Sequence, residues 1–298
     1  MKGNECVGVV IPTHNQRDSL KKTIESLFDQ TYPKDKYEIV VIDDGSTDGT
    51  EEMVQKLKKS ELAPSNFLYL KQERGGAAAA RNLGIRKSKG NLIFFLDSDV
   101  RLEKNALKIL VDQIQNEHIG AVGPKCYYDG DRKKIWCAGG VIYMRRGMCY
   151  HLGRDKCRNC QFNRKAEVDY LPSCALLTKR HVIEEIGGFD EKYYIYYEDS
   201  DWCMRVRKAG YKIVIVTSAH AYHATTDKLN EFFLYYSGRN RFLFMRKHAT
   251  KADFISFLTW TFFVDFPIIV VASFYYKNLK LLISYCKGIR DGIHQVIL

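Results

Sequence analysis

Four short apolar runs, CVGVVIP, YEIVVI, FLYL and NLIFFL, fall within the first hundred of 298 residues, and segments with helical periodicity separate them. Runs of this length, bounded by Gly, Pro, Asp or Ser, read as buried strands. Leu20, Ile24, Leu27 and Phe28 mark one face of the first helix, with Asp18 or Ser19 near its start. Met53, Val54 and Leu57 line a second, AAAARNLGI reads as a third, and Leu107, Leu110, Val111 and Ile114 line a fourth. Strands that alternate with helices predict an α/β fold with a Rossmann-like, mostly parallel sheet. Ligands of such sheets sit beyond the carboxyl ends of the strands. The segments there are Pro12-Thr13-His14-Asn15, Asp43-Asp44-Gly45-Ser46 and Asp97-Ser98-Asp99.

The last of these poses an electrostatic question. Asp97 and Asp99 stand one position apart after an apolar strand, and like charges that close repel unless something compensates them. A solvated turn is one answer, because Asp and Ser favour turns. A ligand is the other. No G-x-G-x-x-G follows the first strand and no G-x-x-x-x-G-K-[ST] occurs, so neither a dinucleotide-oxidoreductase site nor a P-loop is supported. The acid after the second strand can accept hydrogen bonds from a ribose or a base. Paired acids beside a diphosphate call for a divalent cation, Mn²⁺ or Mg²⁺, both of which take carboxylate, water and phosphate oxygens.

Three stretches carry a resemblance to a known family. VVIPTHNQRDSLKKTIESLFDQTYPKDKYEIVVIDDGSTDGT resembles the opening of a family 2 glycosyltransferase with the GT-A fold. RGGAAAARNLGIRKSKGNLIFFLDSDV resembles the family's approach to its D-x-D motif. GGFDEKYYIYYEDSDWCMRVRKAGYKIVIV resembles its acceptor-side segment with an E-D pair. The likeness covers about residues 5 to 250, and RNRFLFMRKH further resembles rhamnosyltransferase-like members.

The resemblance implies roles. Pro12, Thr13, His14 and Asn15 would line the base and ribose pocket, with Asp44 reading the base and Arg74 and Arg81 near the nucleotide. Asp97 would face the ribose or metal-bound water. Asp99 would ligate the metal with a histidine from TSAHAYH, where family spacing favours His223 over His220. Thr217 and Ser218 stand where the family commonly has Pro, so the register there departs from its pattern. Family 2 enzymes invert the anomeric centre by direct displacement, so a carboxylate must take the acceptor proton. Asp199 matches that base. Its neighbour Glu198 is assigned to substrate binding, although acids also suit a helix's first turn. The expected donor is a nucleotide-diphosphate sugar, and the acceptor a glycan or glycolipid. A catalytically silent nucleotide-sugar-binding scaffold at the membrane is the alternative, against which the intact D-x-D and E-D pairs argue.

The catalytic domain is expected over residues 1–225, with the nucleotide-sugar half to about 120 and the acceptor half after it. A helical region follows over 226–298. Within that region Phe254 to Tyr276 is apolar and flanked by Arg246, Lys247, Lys251, Lys277 and Lys280, with Asp265 and Pro267 interrupting it. A buried helix pair, a span and an interfacial segment all compete for it. An acid near the middle counts against a simple span. Aromatics with flanking cations suit an interface, so peripheral or monotopic attachment to the inner membrane face is expected, with a lipid-linked glycan as acceptor. A polar MKGNE leads into the first strand without a secretory signal, which places the domain in the cytoplasm. The +11 net charge alone would also suit nucleic acid. A nucleic-acid module needs aromatics interleaved with a basic stripe, and here they gather in the apolar C-terminal run. No nucleic-acid partner is expected. Cys157 and Cys160 form a single C-x-x-C near Cys126, Cys137, Cys149, His151 and Cys174. A structural zinc site usually takes two such pairs, so reduced, packed thiols are expected.

Overall fold

The computed structural model describes residues 5–157, 162, 164–225 and 229–297. Its first half alternates strands β1 (Val7–Thr13), β2 (Tyr37–Asp43), β3 (Phe67–Lys71) and β4 (Leu92–Leu96) with helices α1 (Arg17–Phe28), α2 (Thr50–Lys58) and α3 (Gly76–Lys87). β5 (Val100–Leu102), α4 (Ala106–Gln113) and β6 (Ile119–Tyr128) follow. The second half contains β7 (Ile135–Cys137), β8 (Gly140–Tyr143), β9 (Met148–His151), β10 (Ala166–Glu167), β11 (Ala175–Lys179), α5 (Arg180–Ile186), α6 (Glu198–Lys208) and β12 (Lys212–His223).

β1 pairs in parallel with both β2 and β4, and β2 with β3. β11 then enters antiparallel between β4 and β6, and β12 runs parallel to β6. The sheet is therefore mixed, with order β10-β12-β6-β11-β4-β1-β2-β3. Strand direction leaves no trace in ALLTK, so the parallel expectation fits β1 to β4 and the β6–β12 pair, while β11 and the short β5, β7 and β10 pair antiparallel.

Period-two alternation decides what each strand contributes to the two cores. Val7, Val9 and Ile11 join Leu20, Ile24 and Leu27 of α1 and Leu107 and Leu110 of α4 in one core. Val10 turns the other way, toward Ala78 of α3, Val182 of α5 and Trp202 and Val206 of α6. Complete burial of such a side chain contributes about 1.5–3 kcal/mol. That is enough to set the register of the central strands, since slipping one residue would send every side chain to the opposite core, shaped for a different one.

Four helices close the chain: α7 (Glu231–His248), α8 (Lys251–Trp260), α9 (Phe266–Tyr275) and α10 (Leu279–Ile297). Asn230 caps α7, its side chain accepting from Phe233 N at 2.8 Å. Phe242, Met245, Phe257, Leu281 and Tyr285 form a separate core that also takes in Tyr193. A π-helical turn, Thr261–Asp265, joins α8 to α9, giving one unbroken helical stretch over Lys251–Tyr275. Asp265 and Pro267 therefore do not interrupt it. Pro267 stands in the first turn of α9, where a missing N–H costs little. Asp265 turns inward, its Oδ2 accepting from Arg241 at 2.7 Å and its Oδ1 from the Trp260 indole at 3.1 Å. The opposite side is bare. Phe263, Ile268, Val271 and Phe274 are 57–78 % exposed, which removes the buried helix pair from the three readings.

Candidate active site

The loop after β1 is built around Asn15, whose φ of 52° is rare for a side-chain-bearing residue. Hydrogen bonds hold it there. Asn15 N donates to Ser46 Oγ at 2.9 Å, and Thr47 N donates to Asn15 Oδ1 at 2.9 Å. His14 Nδ1 lies 2.9 Å from the Asp44 carbonyl. The PTHN and DDGS segments thus form one polar floor, with Pro12 and Thr13 still in the strand. Asp44 is 5 % exposed, and its carboxylate accepts from Gly75 N at 2.7 Å, Gly76 N at 2.9 Å and Gln72 Nε2 at 2.7 Å. In this structure Asp44 clasps the entry to α3, which leaves only its remaining lone pairs for a base.

Arg74 is exposed and donates from Nε to the Tyr194 hydroxyl at 3.1 Å, so it retains donors for an anion. Arg81 does not. It is 3 % exposed and grips Asp97 Oδ1 with Nη2 at 2.7 Å and Glu198 Oε1 with Nη1 at 2.8 Å. The expectation that Arg81 touches the nucleotide gives way to a different geometry. A single guanidinium bridges the acid after β4 and the acid opening α6. Burial alone would lower the Arg81 pKa, but Asp97 and Glu198 more than reverse that, so it stays a cation.

Across this bridge, Asp199 Oδ2 accepts from Ser173 N at 3.3 Å, and Asp97 N donates to the Cys174 carbonyl at 2.9 Å. Two adjacent residues therefore connect both acidic motifs. Burial, then the charge of Asp199, pushes the Glu198 pKa up to about 7 against the pull of Arg81. Burial also raises Asp199, while Arg81 and the N–H groups of Ser173 and Ser200 oppose it. A base with a raised pKa holds a proton more strongly, which suits it to accept one near neutral pH.

β12 carries a register shift between Val216 and His220, so Thr217 to Ala219 form an irregularity and the residues beyond it face differently. His220 pairs with Glu103 at 2.6 Å, whereas His223 Nε2 lies 3.2 Å from Asp99 Oδ1. Burial lowers the His223 pKa, but hydrogen bonding to Asp99 and nearby negative charge raise it overall to about 9. The pair therefore shares a proton. Carboxylate oxygen and imidazole nitrogen suit Mn²⁺ or Mg²⁺ when diphosphate and water supply the other ligands, and a bound cation would take that proton's place. The donor set fits such a cation with two protein ligands, Asp99 and His223. No cluster of three or more His, Cys, Asp or Glu suited to a metal exists among the described residues. Asp97 gives its Oδ1 to Arg81. A cavity of about 440 Å³ opens beside Asp99, lined also by Asn15, Gln16, Arg17, Asp48 and Ala224.

Several residues here escaped the sequence reading. Gln16 accepts from Ser98 Oγ at 2.5 Å, and the edge of Trp136 packs on the His223 ring at 4.3 Å. Only the position of Gln16, directly after PTHN, could have drawn attention to either. Just before the E-D pair, Tyr194, Tyr196 and Tyr197 have φ of 64°, 64° and 69°. Left-handed backbone at such residues costs on the order of 1–3 kcal/mol each and tends to cluster at functional sites. A Cβ at Gly76 would lie 2.4 Å from the Tyr194 ring, so glycine is what allows α3 to meet this turn. Among the described residues seven cysteines are free thiols, as expected, whereas Cys157 is disulfide-bonded and departs from the expectation of reduced thiols. Cys160 lies outside the described residues, and with it the C-x-x-C reading.

Residues 8–187 match the family model Glycosyl transferase family 2. Glycosyltransferase AglE of Haloferax volcanii is 30% identical over 216 residues, covering 72% of this chain and 64% of its own length. The chain spans less than two thirds of the length of this and other curated relatives. Among solved structures, mannosyltransferase PcManGT from Pyrobaculum calidifontis, in complex with GDP-Man and Mn²⁺, superposes with a TM-score of 0.62 at 18% identity, over 97% of this chain and 75% of that one. S. aureus TarS 1-349 in complex with UDP-GlcNAc gives 0.62 at 20% identity, over 98% and 81%. At such identities the likeness speaks for the fold, which is GT-A.

Proposed function

The chain belongs to glycosyl transferase family 2, and from that premise we propose that it is an inverting, metal-assisted enzyme. It moves a sugar from a nucleotide-diphosphate sugar to a hydroxyl of a lipid-linked glycan. The observation that carries this reading is the Arg81 bridge. It holds a donor-side acid and an acceptor-side acid within one buried guanidinium span, with Asp199 beside them.

In this reading the polar floor from Pro12 to Asn15, together with Asp44 and Arg74, receives the nucleotide, and Asp99 with His223 would hold Mn²⁺ or Mg²⁺. Such a cation neutralises charge on the departing diphosphate. Asp199 takes the proton from the acceptor hydroxyl as oxygen attacks the anomeric carbon. The C1–O bond to the diphosphate breaks on the opposite face, which inverts the centre. Arg81 keeps Asp97 and Glu198 from repelling one another. The working test is a panel of nucleotide sugars screened for Mn²⁺-dependent thermal stabilisation, because a bound ligand stabilises by mass action. One donor should raise the unfolding midpoint with Mn²⁺, and Asp99→Ala should lose that increment while its ligand-free midpoint stays near the parent's. Retention of the increment in Asp99→Ala would move the metal elsewhere.

The same reading places the enzyme on a membrane as a peripheral or monotopic protein. Support comes from the helical stretch Lys251–Tyr275, whose most apolar 18 residues have mean hydropathy 2.0 and are 11% buried. Lys251, Lys277 and Lys280 flank it, and each cation near anionic lipid adds about 1 kcal/mol of attraction. Asp265 is already paired with Arg241 inside the protein, so the lipid-facing side carries no buried acid. The full chain should sediment with vesicles of anionic phospholipid at low salt. Recovery in the supernatant there would make this face a protein contact and the acceptor a soluble one.

A further inference from the structure

We infer that Asn240 is a positioning residue for the transfer step, because its carboxamide fixes the turn that presents Glu198 and Asp199. The inference rests on the reading of Asp199 as base. Three residues with positive φ, Tyr194, Tyr196 and Tyr197, lead directly into α6. A chain left to itself relaxes such backbone toward the ordinary regions. Something must hold it. Local backbone bonds, Tyr194 N to the Glu191 carbonyl at 3.1 Å and Ile195 N to the Tyr193 carbonyl at 2.7 Å, close the first half of the turn. Tyr197, however, occupies the N-cap position of α6 without a side-chain capping bond, so the second half needs a more distant restraint.

It comes from α7, more than forty residues later. The carbonyls of Tyr193, Ile195 and Tyr196 converge on Asn240 Nδ2 at 2.9, 2.8 and 2.9 Å. Asn240 is fully buried. Its two N–H donors serve three acceptors, so at least one is shared. Arg239 Nη1 donates to Asn240 Oδ1 at 2.9 Å, which settles which end of the amide faces the turn. A carboxylate of the same shape brings no donor and would face three carbonyls with like polarity. Other ties at the turn are single bonds: Ile195 N to the Tyr193 carbonyl at 2.7 Å, Ala78 N to the Tyr194 carbonyl at 3.2 Å, Arg74 Nε to the Tyr194 hydroxyl at 3.1 Å and the Tyr197 hydroxyl to the Gly147 carbonyl at 2.9 Å. Asn240 differs from each of them in holding three of the turn's carbonyls at once.

A displacement of about 1 Å at a reacting group can cost as much as 10²-fold in rate. Asn240→Asp removes the donors and Asn240→Ala removes the whole group, the second serving if the first does not fold. The measurements are amide hydrogen exchange over residues 194–201, calorimetric binding of UDP and GDP with Mn²⁺, and turnover of UDP-GlcNAc and GDP-mannose as probe donors. We expect faster exchange confined to residues 194–201, nucleotide affinity close to the parent's, and a kcat reduced by about 10²-fold with little change in donor KM. Unchanged protection at 194–201, unchanged kcat, or loss of nucleotide affinity in step with kcat would overturn the inference. Asp199→Asn assayed alongside separates the two readings. Full turnover in Asp199→Asn, with the loss retained in Asn240→Asp, removes the base role while the turn remains Asn240's to hold. Full turnover in Asn240→Asp, with loss in Asp199→Asn, overturns Asn240 alone.

Discussion

Asp199→Asn is expected to lower transfer by about 10²–10⁴-fold, the range typical for loss of a general base, while nucleotide affinity stays unchanged. The amide keeps the shape and one acceptor oxygen for the N–H of Ser200 or Ser173, but it cannot take a proton. In the parent, the acidic limb of the pH–rate profile should lie above the ordinary carboxylate range, because burial raises both Asp199 and Glu198, the latter to about 7. The sign follows directly. The base works ionised, so activity falls as pH drops through that limb and is full above it. Two coupled acids titrate as a pair, so the limb belongs to both. Glu198→Gln removes a neighbouring negative charge and should shift the limb to lower pH. Steady-state rates from pH 5 to 9 measure both effects, and an unshifted limb would show that Glu198 does not act on the base.

The second large effect is on stability. Arg81→Met should destabilise the fold by about 3–5 kcal/mol, the usual result of breaking a buried ion pair from one side, because Asp97 and Glu198 lose their shared cation. For a chain of this size that corresponds to a fall in Tm on the order of 10 °C. The loss should depend on pH in a definite direction. A carboxyl with a raised folded pKa stabilises below its unfolded value and loses that contribution as pH rises through the folded one. Glu198 is already raised to about 7 with Arg81 present, and it rises further without it. The destabilisation should therefore be greater at pH 8 than at pH 5.5, where protonation relieves it. Thermal unfolding at the two values decides the matter. Equal losses at both would mean that methionine disturbs packing, for example against the Phe189 ring that lies 5.6 Å from the Arg81 guanidinium, rather than charge.

Some of this molecule was legible from sequence because it depends on near neighbours. CVGVVIP, YEIVVI and NLIFFL carry enough apolar bulk to be strands wherever they are placed, and Leu20, Ile24 and Leu27 return every turn to one face. Acids after β2 and β4 follow from the rule that open sheets bind beyond their carboxyl ends. The apolar stretch from Phe254 to Tyr276 was visible for the same reason.

What the tertiary structure decided involves partners far apart in the chain. Arg81 read as a nucleotide contact until folding placed Glu198, 117 positions away, against its guanidinium. Asp265 read as a break in an apolar segment, yet Arg241 on another helix pairs with it, so it does not interrupt the helix. His220 and His223 lie three positions apart in one regularly paired stretch of β12, and they are distinguished by what the fold sets against each, Glu103 for the first and Asp99 for the second. The antiparallel entry of β11 is of the same kind, because direction is a property of a strand pair. Local composition sets which segments are strands, helices and apolar faces, since those depend on burial and periodicity alone. Which charge meets which depends on distances of a few ångströms across the fold, and only the packed chain fixes those.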